Sequence, residues 1–454
     1  MVASGRKVLV VISRILSRLL LLVLASSIAL PRPARAEGMA MLRDAEIESS
    51  IRAWATPIWT AAGLDAEAIH VYIVEDPQLN SFVAGGQNLF LNTGTLMRSE
   101  TPNQLIGIMA HESGHIAGGH LARSEEAMRN ATIESIIAMV AGVAAGVAGG
   151  AAAGVLAGQS VGERSFLAFS VTQEASADQA ALTFLDRSHQ SARGLLEFFE
   201  ILQQEELLSA AHQDPYLRTH PLTSQRVEYV RNHVLHSPYS DVKDPPEWIE
   251  MHRRMKAKLA GFLQPPDRTL ASLKPGDTSI AARYERAIAD YRTPDLKKAV
   301  PEIDALIRDE PNNPYFRELK GQMLFENGRI GEAVAPYEEA VRLKPDNALL
   351  RIETAQVQLE TNDPALVPKA LGNLKDAIRF EDRNPDSWHF LAIAYGRGGN
   401  MGMMALALAE EGIANGDFTQ ARQQAARALK LLPPGPDKQR ALDIQGEAKR
   451  EGKP

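Results

Sequence analysis

The chain has 454 residues, with 49 Lys and Arg against 56 Asp and Glu for a net charge of −7, and it contains no cysteine. The missing thiols exclude disulfides and a cysteine-linked lipid anchor, and the acidic balance argues against nucleic-acid binding as a main task. A chain of this length suggests two domains or more.

The first 36 residues read as an export signal. Arg6, Lys7, Arg14 and Arg18 precede an uncharged run from Leu19 to Pro31, and Ala34-Arg35-Ala36 supplies a small-residue cleavage site, predicted between Ala36 and Glu37. The competing reading is a retained anchor, for which the apolar run is short. Removal of this segment takes the basic count from 49 to 43 against 56 acidic residues, a mature net charge of −13. Export without disulfides fits a bacterial periplasm.

"EIESSIRAWATPIWTAAGL" (46–64) reads as an amphipathic helix, and "IHVYIVED" (69–76) and "NLFLNTG" (88–94) read as strands. Residues 102–123, "PNQLIGIMAHESGHIAGGHLAR", are predicted as a helix, with Pro102 in its first turn and Leu105, Ile108, Met109 and Ile116 at helical spacing. That helix carries His-Glu-x-x-His. His111 and His115 stand one turn apart on one face, so two imidazoles can grip one ion, and Glu112 can reach a metal-bound water as general base without being a ligand. A zinc protease needs a third ligand. One plan places a histidine six residues after the second ligand, but residue 121 is Leu, and His120 comes one position early, so that register fails. The other plan takes a glutamate from a later helix. "FLAFSVTQEASADQAALTFL" (166–185) offers Glu174 and Asp178 one turn apart on an Ala-rich helix, with Glu174 the candidate ligand and Asp178 better placed to orient a histidine or pair with an arginine. A merely solvated acidic face is the alternative. Two histidines, one glutamate and one open position would make a catalytic site.

Between these helices, residues 135–162 run without charge and are dominated by Ala and Gly. The length would span a bilayer, yet the stretch is only mildly hydrophobic, and Gly149-Gly150 can break it into a helical hairpin beside the active site, with peripheral membrane contact. Residues 236–277 are Pro-rich and charged, hold one predicted helix (247–263), and link the halves. From 278 to 434 the pattern is helical and repetitive, followed by a terminal helix or tail at 435–454. Residues 314–345 fit the tetratricopeptide repeat, with Gly321, Gly328, Ala333, Tyr337, Ala340 and Pro345 at the small, aromatic and helix-stop places. Such an array forms a curved solenoid that binds peptides.

The segments "HESGH", "EASAD" and "RTHPLTSQRVEYV" (218–230), with "NSFVAGGQNLFLNTGTLM" (80–97) before them, resemble the zinc metallopeptidase family of the type I CAAX prenyl protease. Within it the chain is most similar to the periplasmic branch that serves outer-membrane barrel assembly and carries C-terminal tetratricopeptide repeats. The resemblance covers residues 40–235. It implies an α+β zincin-type domain (37–235), mostly helical with a small sheet, followed by an all-α solenoid. It also implies one Zn²⁺ per chain held by His111, His115 and Glu174, with Glu112 as general base. It draws in His220 as a fourth ligand that keeps the enzyme latent, or as an oxyanion stabiliser, and pairs Arg226 with Asp178. The implied activity is endoproteolysis of misfolded or stalled outer-membrane proteins, with the repeats docking substrate or the barrel assembly machinery. The alternative is a chaperone or assembly adaptor with a latent zinc site. CAAX-type processing, which expects several apolar spans, fits less well.

Overall fold

The computed structural model describes residues 41–120, 171–206, 216, 219–293 and 295–451. The export signal with its cleavage point and the Ala/Gly-rich stretch 135–162 lie outside the described residues. The N-terminal half is built around one helix and a small sheet. Helix α1 (Ala45–Ala61) starts at Asp44, whose carboxylate accepts a hydrogen bond from the Ile47 amide at 2.8 Å, a side-chain cap for an otherwise orphaned donor. Its apolar stripe, Ile47, Ile51, Trp54, Ile58 and Trp59, is buried in the core. Full burial of each such isoleucine contributes about 1.5–3 kcal/mol.

Four strands follow the order β1-β2-β4-β3: β1 (Met41–Leu42), β2 (His70–Val74), β3 (Ser81–Ala84) and β4 (Asn88–Asn92). β2 and β4 are parallel, registered from His70 opposite Asn88 to Val74 opposite Asn92. β3 returns antiparallel to β4, Ser81 opposite Leu91 and Ala84 opposite Asn88, through a turn at Gly85-Gly86 where both residues have positive φ. β3 is therefore one of the two edge strands of the sheet, the other being β1, and it packs against the helix that carries the histidine pair.

β4 feeds directly into α2 (Thr93–Arg98) and then α3 (Pro102–Ala117). Thr101 caps α3 by accepting from the Gln104 amide, and Pro102 occupies the first turn, where its missing N–H matters least. α3 is buried on all sides from Leu105 to His115, between α1, α4 (Val171–Arg187) and α5 (Arg193–Glu206). Gly114 makes the α3–α4 contact possible, because a Cβ there would lie 2.6 Å from the Ala177 carbonyl oxygen and 2.9 Å from the Ala177 Cα. The helix ends at Ala117, six residues short of the helix read from sequence: Gly119 adopts φ +63°, a left-handed stop that a Gly-Gly pair takes readily.

α6 (Ser224–His236) is capped by Thr223, and α7 (Pro246–Leu263) then joins the two halves. Met255 and Leu259 of α7 lie in the core shared with α1, while Gly261 packs on Ile288 of the first repeat. A short helix α8 (Pro266–Ser272) leads into paired helices: α9 (Ile280–Arg292) with α10 (Leu296–Asp309), α11 (Pro314–Glu326) with α12 (Ile330–Leu343), α13 (Ala348–Glu360) with α14 (Val367–Phe380), α15 (Pro385–Arg397) with α16 (Met401–Ala414), and α17 (Phe418–Leu431) with α18 (Pro436–Glu451). The repeat signature has a steric basis: a Cβ on Gly321 would meet the Tyr337 ring at 2.5 Å.

The start of α1 docks on these repeats through charge. Arg43 donates to both oxygens of Glu381 at 2.7 and 2.9 Å. Arg254 and Tyr284 both donate to Glu46, at 2.7 and 3.0 Å. Lys258, 2% exposed, lies 2.7 Å from Asp44 and 3.2 Å from Glu318. Buried ions that are each paired in this way fix one arrangement of the halves, since breaking any pair strands a charge. Among the described residues no helix is long and apolar enough to cross a membrane.

Candidate metal centre

α3, α4 and the turn before α6 bring the sequence-derived candidates together. His111, Glu112, His115, Glu174, Asp178 and His220 are all 0% exposed, and Arg226 is 3% exposed. One ligand atom from each of His111, His115, Glu174 and His220 falls within a group whose members lie within 4.8 Å of one another. The spacings are specific. His111 Nε2 is 3.2 Å from His115 Nε2 and 3.3 Å from Glu174 Oε2, and His115 Nε2 is 3.3 Å from Glu174 Oε1. Tetrahedral bonds of about 2.0–2.1 Å to nitrogen and oxygen separate ligand atoms by about 3.3–3.4 Å, so these three groups fit one small divalent cation. His220 presents Nδ1 to the same point, 3.5 Å from His111 Nε2 and 3.1 Å from Glu174 Oε1.

The remaining side chains orient these four. His111 Nδ1 donates to Asp178 Oδ1 at 2.9 Å, which leaves Nε2 facing the cluster. Arg226 donates through Nε and Nη2 to the two oxygens of Asp178 at 2.7 and 2.9 Å. Its Nη1 reaches Glu174 Oε2 at 2.9 Å and the Pro221 carbonyl at 2.8 Å. One guanidinium thus ties both carboxylates of α4 to the His220-Pro221 turn. Tyr216 and His120 make contacts at the cluster that sequence reasoning missed. The Tyr216 ring stacks on His220, centroids 4.6 Å apart, and its carbonyl accepts the His220 amide at 2.8 Å. A Tyr four residues before the His, one helical turn away, was the available signal. His120 Nδ1 lies 3.0 Å from His115 Nδ1.

Charge tells the same story as distance. Glu112, Glu174 and Asp178 against Arg226 leave a buried excess of negative charge that a dication would offset. Burial works against the charge of each group. For Glu174 it is outweighed by His220, His111 and His115, which hold the carboxyl well below the usual range, and for Asp178 by the hydrogen bonds from Arg226 and His111, which lower it. Burial also lowers His111, but hydrogen bonds to Asp178 and Glu174 prevail and raise it to about 10. On His115 burial wins, and it falls to about 3. Burial pushes the Glu112 carboxyl up, and His220 and His111 offset that only in part. Both Glu112 oxygens lack a hydrogen-bond partner among the described residues, and one lies 3.8 Å from His220 Nε2. A buried carboxyl with nothing to bind is poised for a group that arrives with metal or substrate.

Residues 41–234 match peptidase family M48, and residues 281–348 match the tetratricopeptide repeat. Over 366 residues the chain is 25% identical to a beta-barrel assembly-enhancing protease of Yersinia pestis, covering 78% of this chain and 73% of that protein. The protein of that name from Escherichia coli K12 is 24% identical over 331 residues, 72% of this chain and 67% of its own length. Metalloprotease LoiP of Escherichia coli K12 is 28% identical over 164 residues, 36% of this chain and 61% of its own. The M48 match spans the sheet, the histidine helix, the carboxylate helix and the Arg226 turn, and the chain is a metallopeptidase: an M48 domain with C-terminal tetratricopeptide repeats.

Proposed function

We propose that this chain is a periplasmic zinc endopeptidase that acts on misfolded or stalled outer-membrane proteins. The observation that carries the reading is the 3.2–3.3 Å triangle of His111 Nε2, His115 Nε2 and the Glu174 carboxylate. Those three would hold Zn²⁺, one per chain, which when bound supplies a Lewis acid and an acidified water. Glu112 takes the proton from the attacking water and delivers it to the leaving amine, and its burial keeps the carboxyl basic enough to do so. Asp178 and Arg226 fix the orientation of His111 and Glu174. The substrate segment lies extended along β3, the edge strand beside the histidine helix, and its main chain adds to the sheet whatever its side chains are. Such recognition suits unfolded chains. The names of the relatives point to barrel proteins as targets, and the repeats supply a surface for substrate or for the barrel assembly machinery. The periplasmic location rests on residues 1–36.

The contacts of His220 favour a second feature, latency. Its Nδ1 faces the corner that a catalytic water needs, within 3.5 Å of His111 Nε2. An imidazole there holds the site closed until its turn moves, and then sits within reach of a tetrahedral oxyanion. A chaperone or adaptor with an idle centre is the alternative function that this contact supports. The discriminating experiment incubates zinc-loaded full chain, and its His220→Ala variant, with an unfolded outer-membrane barrel protein. Cleavage by either form supports the peptidase reading. Binding without cleavage by both overturns it in favour of the adaptor.

A further inference from the structure

His111 has its outer nitrogen held by a carboxylate, and Asp178 in turn is clamped by Arg226. His115 needs an equivalent restraint. With Nε2 turned toward Glu174, its Nδ1 must carry the ring proton, and a buried N–H requires an acceptor. His115 Nδ1 meets such an acceptor in the ring of His120, Nδ1 to Nδ1 at 3.0 Å, with the two rings steeply inclined at 70°.

The backbone delivers His120 to that place. α3 ends in a Schellman stop: the Gly119 amide bonds to the Ile116 carbonyl at 3.1 Å, and the His120 amide bonds back to the His115 carbonyl at 3.1 Å. Gly119 holds φ +63°, which turns the chain back on itself. In this motif the residue after the turn regularly touches the residue five earlier, usually through apolar side chains. Here the two residues are His120 and His115. Gly118 leaves room for the ring, since a Cβ there would lie 2.7 Å from His120 Nε2 and 2.9 Å from its Cε1.

We propose that His120 is a positioning residue for the metal site: with its proton on Nε2, it accepts at Nδ1 from His115 and fixes the tautomer and tilt with which His115 presents Nε2. The helix stop is thus part of the metal site, and the sequence His-x-x-Gly-Gly-His reads as ligand, turn and support. This rests on the reading of His115 as a metal ligand, and the test separates the two.

Zinc affinity of the full chain is measured by competition with a chromophoric chelator, with cobalt absorption as a second readout of ligand geometry. His120→Phe keeps a ring but removes the acceptor, and is expected to weaken zinc about 10–100-fold and to alter the cobalt bands. His120→Gln, whose amide oxygen can accept, should recover most of the loss. Gly118→Ala, compatible with the helical φ of −73° at that position, should weaken zinc by displacing the ring, yet have no effect in a His120→Ala background. Metal-free melting temperatures of the variants serve to exclude misfolding. Zinc affinity unchanged in His120→Phe while His115→Ala loses zinc would overturn the positioning role and leave the ligand reading intact. Zinc affinity unchanged in His115→Ala would overturn both. An equal loss from Gly118→Ala in the parent and in the His120→Ala background, with His120→Phe unchanged, would show that the turn, not the imidazole, supports the site.

Discussion

Loading the metal should expel a proton, and the structure says which one and how strongly it competes. His111 stands between two buried carboxylates, 2.9 Å from Asp178 and 3.3 Å from Glu174, and they outweigh burial and push it up to about 10. The shift is upward, so the protonated form prevails below about 10, and a cation that needs the Nε2 lone pair must displace that proton. The proton competes with the cation across the neutral range, so apparent zinc affinity should rise with pH, by up to about tenfold per unit from this residue alone. His115, lowered to about 3, is already neutral and adds nothing to the slope. Calorimetric titration of the metal-free full chain in buffers of different ionisation enthalpy counts the protons directly, and chelator competition at pH 6, 7 and 8 gives the slope. About one proton or more per zinc is expected, with affinity rising through this range. Binding that is independent of pH, with no proton released, would refute the placement of His111 between the two carboxylates. Asp178→Asn removes one of those carboxylates. It should flatten the pH slope while weakening zinc at high pH by about 10–100-fold.

Other expectations follow from packing and charge. Gly114→Ala would press a methyl group into the backbone of Ala177. Overpacking of that kind costs about 1–3 kcal/mol, and because the contact sets the distance from α3 to Glu174, melting temperature and zinc affinity should fall together. A variant with parent-like stability and affinity would contradict the close approach of the two helices. Lys258→Met strands Asp44 and Glu318 in the joint between the halves, at a cost of about 3–5 kcal/mol read by chemical denaturation. A loss below about 1 kcal/mol would mean that these ions are solvated in solution.

The parts of this molecule that are legible in its sequence are those with local causes. The His111–His115 pair follows from helical spacing, and Glu174 and Asp178 stand out because acids on an Ala-rich helix need a partner. The repeat helices follow from period, and their Gly321–Tyr337 contact lies within one repeat. Reading α3 through to residue 123 failed at the Gly118-Gly119 stop, because Ile116 and Leu121 sustain an apolar spacing that outweighs two glycines unless the left-handed turn is weighed as well. The same oversight left His120 with no role once it missed the register of a third ligand. β3 is four residues long and joined to β4 by a three-residue turn, too short for alternation to separate the two strands. The docking of α1 on the repeats has no local signal at all. Arg43 and Glu381 are 338 positions apart, and each alone looks like an ordinary surface charge.

In the proposed mechanism Glu112 performs the proton transfers of peptide hydrolysis at a zinc ion it does not bind. The most direct measurement compares the zinc-loaded full chain with Glu112→Gln on an unfolded outer-membrane barrel protein, recording zinc content and cleavage rate on the same samples. The expected result is equal zinc content and a loss of cleavage of about 10²–10⁴-fold in the variant. Equal cleavage rates at equal zinc content would contradict it.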